Sequence, residues 1–350
     1  MPAHPRAQSA QALNPQAKLV ATTKMRLSGG VDSNSPSAWD LVDGVPRLFV
    51  VTSIDGMPSA ESGRTLGALG PAQQSSLEPW PGGGVWMEAI VPDVDGTWYG
   101  YYHNEIPDDA VCPGDDKVVP RIGAARSRDH GETWEDLGVV LEAPAGAFDC
   151  TTTNVFFVNG VGDFSVALDA DSRDLYFFIS QYERSTSQQG IAIGRLAWAD
   201  RDTPAGKMML WRTGVWLPAA RAVTRGDTLR WLYGTGTPII PVLDGWHDAG
   251  TTTDAFWGPS VHWNTYLRMY VMLLNRARNT NYDEEGIYVS FAPRLDDPTI
   301  WSTPVKILNG GTWYPQVIGL DDNRGTDKTA GEWARFFMAG TSQYLIHFTR

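Results

Sequence analysis

Cysteine is almost missing from this chain: Cys112 and Cys150 are the only two in 350 residues. Two thiols exclude a zinc-ribbon pattern, which needs four ligands at paired spacings. They flank one hairpin, residues 121–141, so a disulfide and two free thiols are both open. No run of 18 apolar residues occurs, which excludes a membrane-spanning helix. Positive charge is scarce: 28 Lys and Arg stand against 40 Asp and Glu, a formal net charge of −12. That balance excludes nucleic acid or an anionic membrane as the main partner, since both require a basic surface. Residues 1–23 hold no continuous apolar stretch of signal-peptide type. Residues 1–17, rich in Ala, Gln and Pro, read as a disordered tail. Helical periodicity is nearly absent throughout.

What is present is repetition. Asn34-Ser-Pro-Ser-Ala-Trp-Asp40 leads into Leu48-Phe-Val-Val, and Trp257-Gly-Pro-Ser-Val-His262 leads into Tyr270-Val-Met-Leu-Leu. Trp86-Met-Glu-Ala-Ile90, Gly162-Asp-Phe-Ser-Val-Ala and Trp313-Tyr-Pro-Gln-Val-Ile are variants, each followed by a second apolar strand. They recur at roughly 50 to 95 residues, the spacing of propeller blades with long insertions. Short strands between Gly, Pro and Asp turns make the chain all-β. The expectation is one five-bladed β-propeller over residues 18–350, closed by the strand Lys18–Leu27. A radial repeat adds blades rather than enlarging one core, so this length needs no second domain. Of the 15 Trp, most should pack blades. In Ser127-Arg-Asp-His-Gly-Glu-Thr-Trp134, Asp129 and Trp134 are assigned to folding the turn, not to chemistry.

Side chains alternate along a strand, so parity sorts which ones face the propeller axis. Superposing the repeats puts Ser37, Glu88, Ser165, Ser260 and Gln316 at one level. Ser35, Trp86, Asp163, Gly258 and Tyr314 lie above it, and His262 lies deeper. The ends of the second strands return to the same mouth and bring His103-Asn-Glu105, Ser180-Gln-Tyr182 and Asn275-Arg276. Paired carboxylates among aromatic rings suit glycoside hydrolysis. One carboxyl, its pKa raised by burial, protonates the leaving oxygen, and the other acts on water or on the anomeric carbon. Asp163, Glu88 and Glu105 are the candidate catalytic groups. His103, Trp86, His262, Arg276, Trp257, Tyr314 and Gln316 are the candidate substrate contacts. Asp32, Asp40 and Asp254 are weaker carboxylate candidates; for Asp40, and similarly for Asp32, capping a turn is the alternative. Glu284-Glu285 is placed near the same rim.

These repeats resemble the five-bladed propeller glycoside hydrolases, the clan of arabinanases, β-xylosidases, arabinofuranosidases and invertase-like enzymes. The resemblance runs from about Asp32 to the C-terminus as a pattern of blades. It implies a base Asp in the first blade, a pKa-tuning Asp opening the third and an acid Glu in the fourth. Gly162-Asp163-Phe164 matches the second position. Ser35 stands at the first and Trp257 at the third, so the carboxylates have moved or the mechanism differs. The resemblance also implies a carbohydrate substrate of furanoside or pentoside type. It implies no required cofactor, with a structural calcium near the axis and His262 as an allowance. A secreted or periplasmic location is expected. The turn at Ser127–Trp134 is similar to the Asp-box of sialidases, which implies a sialidase-like exo-glycosidase as an alternative. Arg121, Arg268 and Arg276 are present for it, but an early Arg-Ile-Pro motif and a sixth blade are not. A carbohydrate-binding propeller without catalysis is the other alternative.

Overall fold

The computed structural model describes residues 14–107, 112–114, 116–169, 173–226, 228–247 and 250–350. Residues 1–13 of the expected tail, and Asp108 and Asp109 of the long loop in the second blade, lie outside them. Among the described residues the regular structure is strand, with four 3₁₀ turns and no α-helix.

Each of the five repeats opens the inner strand of one antiparallel sheet. Blade one runs Ser37–Val42, Val45–Ile54, Met57–Gly63. Its first two turns are Asp43-Gly44 and Asp55-Gly56, with φ of 52° and 76°, then 51° and 71°. Positive φ at both central residues is what a two-residue hairpin needs, and Asp-Gly supplies it with little strain. Blade two runs Gly84–Pro92, Trp98–Pro107, Val118–Ser127, Thr133–Leu141. Blade three runs Val161–Leu168, Asp174–Gln181, Gly190–Ala197, Met209–Arg212. Blade four runs Thr252–Asn264, Met269–Asn279, Glu284–Ala292, Val305–Asn309. Blade five runs Gln316–Gly319, Trp333–Met338, Thr341–Thr349. Gln16–Arg26 lies antiparallel to Thr341–Thr349 on its outer side, starting two residues before the expected strand.

The hydrophobic residues gather between blades rather than in one centre. Five clusters fill the five inter-blade gaps. Ala38, Phe49 and Met87 join blades one and two, and Ile122, Phe164 and Phe177 join two and three. Tyr176, Val261 and Met272 join three and four, and Leu273, Val317 and Phe336 join four and five. Val50, Ile318 and Phe337 join five to one. Every blade is thus apolar on both faces and polar at its inner edge, which leaves the axis for function. At the turn Ser127–Trp134, Asp129 accepts from the Thr133 amide and hydroxyl at 2.9 and 2.6 Å, and Trp134 is buried.

Candidate active site

The site forms where the inner strands begin, and two β-bulges build it. In blade two, Met87 pairs with Tyr102 and Ala89 with Tyr101, so Glu88 is left over. In blade three, Gly162 pairs with Ser180 and Phe164 with Ile179, so Asp163 is left over. A bulge residue escapes the ladder and can be re-aimed. Plain parity put Glu88 one level below Asp163. The bulges instead bring Glu88, Asp163 and His103 together, with one ligand atom of each within 4.8 Å of the others. Asp163, Gly258 and Tyr314 stand at equivalent points of three successive blades, with φ of 40°, 56° and 58°. This left-handed backbone is costly for Asp and Tyr and cheap only for Gly. Gly162 is required for another reason: a Cβ there would stand 2.5 Å from His103 Nδ1.

Asp163 is the hub. Its Oδ2 accepts from the Tyr182 hydroxyl at 2.5 Å and its Oδ1 from Tyr314 at 3.3 Å. Its amide donates to His103 Nδ1 at 3.1 Å, and Nδ1 lies 3.8 Å from Asp163 Oδ1. His103 Nε2 faces Glu105 Oε1 at 3.2 Å, close enough to pair but not aligned as a hydrogen bond. Burial alone favours a neutral ring, but Glu105, Asp163 and Glu88 outweigh it and push His103 up to about 9. The Asp163 amide pulls the other way, because a protonated Nδ1 cannot accept a hydrogen bond.

Burial, and then the Asp163 charge, push Glu88 well above the usual carboxyl range. Its Oε2 accepts from the Asn34 amide at 3.1 Å, and its Oε1 has no partner. Burial also raises Asp163, against His103 and the two tyrosines. Asp32 stands half-buried at the mouth of blade one. Burial, then the charges of Asp163 and Glu105, raise it to about 6. Asp32 therefore belongs to the same electrostatic cluster. Its position shortly before Ser35 was the available signal.

Aromatic rings roof the hub. Phe157, Tyr182, Trp246, Trp257, Tyr282 and Tyr314 form one buried cluster. The segment carrying Phe156 and Phe157 belongs to none of the five repeats. It is docked by Val118 N donating to Phe156 O at 2.8 Å and by Asn154 Oδ1, which accepts from both Phe amides at 2.9 Å. Asp163 and Glu88 are consequently 4% and 1% exposed, whereas the Glu105 side chain keeps 25% of its surface. Trp86 is half-buried, edge-on to His103 at 5.6 Å.

The other candidates have other roles. Gln316 is in the axis, where its Oε1 accepts from Ser35 N at 2.6 Å and its Nε2 donates to Ser35 O at 3.1 Å. With Asn34, whose Nδ2 donates to Phe164 O and Pro259 O at 3.0 and 3.2 Å, it plugs the axis below the carboxylates. His262 is fully buried near Phe348, and burial drives it down to about 3. Arg276 does not reach the hub, because its guanidinium is bound to Asp254 by bonds of 2.7 and 2.8 Å. Asp40 accepts from Trp98 Nε1 at 2.9 Å, away from the hub. Arg121 is held by Asn104 Oδ1 at 2.8 Å, so the three arginines do not form a carboxylate clamp. Cys112 and Cys150 are joined, with Cα atoms 5.5 Å apart.

No family model and no curated protein matches this chain. Its fold does have solved counterparts. An endo-arabinase from Bacteroides thetaiotaomicron aligns over 91% of this chain and 94% of its own, with TM-score 0.50 and 11% identity. A thermostable family-43 glycoside hydrolase aligns over 93% and 92%, with TM-score 0.51 and 12% identity. At such identity the likeness shows the five-bladed propeller fold.

Proposed function

We propose that this chain is a glycoside hydrolase acting on glycans of furanoside or pentoside type. The carrying observation is that two accessible carboxyls, Asp32 and Glu105, share one charge cluster above a buried carboxylate. Asp32, raised to about 6, can hold a proton near neutral pH and deliver it to the leaving oxygen. Glu105, beside His103, acts on water or on the anomeric carbon. Asp163, held by two tyrosine hydroxyls and an amide-bound imidazole, stays fixed, and its charge helps to raise Asp32. Glu88 and Asp163 are buried too deep to flank a sugar. Glu88 is therefore assigned to orienting Asn34 rather than to the bond-breaking step. Trp86 and the aromatic roof offer faces for the apolar side of a sugar ring.

Among the described residues His262 belongs to no cluster of carboxylate, His or Cys ligands that could hold the calcium implied near the axis, and the Lys328 charge there disfavours a cation. Glu88, His103 and Asp163 fit a divalent ion better, since Glu88 Oε1 lacks a partner. A bound ion there would supply positive charge in place of the His103 proton. The Cys112–Cys150 bond supports a secreted or periplasmic location, because disulfides persist in oxidising compartments.

The test is a panel of aryl pentosides and furanosides with arabinan, xylan and galactan. Asp32→Asn and Glu105→Gln should each lower kcat/KM by at least about 10². Absence of turnover on every substrate, or both variants staying within a few-fold of the parent, rejects the assignment. The burial of Asp163 and Glu88 favours a second reading, a glycan-binding propeller without catalysis. Binding with no turnover would select it.

A further inference from the structure

The axis has a second mouth. The inner strands of blades two, three and four end at or beside Val91 and Pro92, Leu168 and Asp169, and Trp263, a few residues past the bulges that carry Glu88 and Asp163. These ends, together with Ser37–Trp39 of blade one and the loop 323–329 after the last inner strand, line a cavity of about 890 Å³. The Asn34 and Gln316 side chains, with Ser35, fill the axis between this cavity and the hub. The two mouths are therefore separate sites.

Two indoles shape the far cavity, and both are fixed. Trp39 Nε1 donates to Gly325 O at 2.9 Å, and Trp263 packs against Tyr270 with centroids 4.9 Å apart. Both rings are only half-buried, so part of each meets the cavity. Around them stand donors and acceptors of both signs. Lys328 Nζ bonds Ser165 Oγ at 3.2 Å and pairs with Asp327 at 3.0 Å. Arg294 pairs with Asp296 at 3.0 Å. Arg324 is exposed and makes no ion pair with a described residue. The charges nearly cancel, which disfavours a strongly anionic or cationic ligand. Rigid aromatic planes ringed by balanced polar groups match a ligand with an apolar face and a rim of hydroxyls. The volume suits a short stretch of chain rather than a single small ion.

We propose that this far mouth is a second glycan-binding site, which holds part of an uncharged polysaccharide while another part reaches the carboxylates. The proposal rests on the reading that glycans are this protein's ligands, but not on catalysis. In native gels containing arabinan, xylan or galactan, the protein should be retarded by at least one of them. Trp263→Ala should weaken that binding about 10-fold, the equivalent of about 1.4 kcal/mol. Arg324→Ala, which removes an exposed side chain and does not threaten folding, should weaken it several-fold. Asp163→Asn should leave it in place, and Trp263→Ala should leave turnover of a small aryl glycoside unchanged. Retardation by none of the three polymers overturns the proposal, and so does retardation that neither variant alters. A dimer seen by light scattering that Trp263→Ala dissolves would assign the mouth to a second copy of this chain and overturn it as well. Retardation of the parent protein with no hydrolysis of any substrate would reject the catalytic reading alone.

Discussion

Breaking the Cys112–Cys150 bond is the sharpest perturbation available. The bond closes a loop with a sequence separation of 38. In the chain-entropy treatment, a loop of that length removes about 13 cal/mol/K from the unfolded ensemble, or about 3.9 kcal/mol at 25 °C. A 350-residue chain has an unfolding entropy near 0.7 kcal/mol/K, so the midpoint should fall by about 5 °C. The bond also has a functional side. Past Cys150 the chain runs directly into the segment bearing Phe156 and Phe157, and Val118 and Val158 tie that segment to blade two. Releasing the bond loosens one anchor of the aromatic roof over Asp163, so KM should rise more than kcat falls. The assay is calorimetry of the parent with and without reductant, beside the double variant Cys112→Ser, Cys150→Ser, followed by kinetics. A midpoint shift under about 1 °C would refute the loop-entropy argument. A 5 °C shift with unchanged KM would refute the anchoring argument.

Tyr182→Phe removes a 2.5 Å donor from buried Asp163. A charge-assisted bond of this kind should be worth about 1.5–3 kcal/mol, and an unchanged denaturation midpoint would count against the hub. Asn34→Ala leaves the Phe164 and Pro259 carbonyls unsatisfied inside the axis. It should destabilise by about 1–3 kcal/mol, measured by urea unfolding. Glu284 is pushed up from 4.5 to about 8, chiefly by burial, so the folded state holds its proton more tightly than the unfolded state. Its stabilising contribution is complete below about pH 4.5 and disappears as pH rises to about 8. The parent should therefore lose stability relative to Glu284→Gln across that window, by at most about 5 kcal/mol. Parallel pH profiles for the two proteins would contradict this.

The repeats were readable because apolar alternation and Asp-Gly turns are local signals. Asp163 was readable because Gly162-Asp163 opens a strand where no turn needs an Asp. The bulge at Glu88 was not readable. A bulge inserts one residue and shifts every later side chain, and neither Met87 nor Ala89 announces it in the sequence. Arg276 illustrates the same limit from the other side. Its charge suggested a substrate contact, but Asp254, 22 positions earlier, is its partner across the hairpin.

The sequence by itself determined the all-β architecture, the five blades, the acidic charge and the strand starts that meet at the axis. These follow from residue periodicity and turn chemistry, which act over a few positions. The tertiary structure decided which carboxyls share a field, which are roofed by Phe157 and Tyr182, and that the axis has two separated mouths. Burial and electrostatic coupling arise between blades that are distant along the chain, and the pKa of Asp32 or His103 exists only once those blades have closed around it.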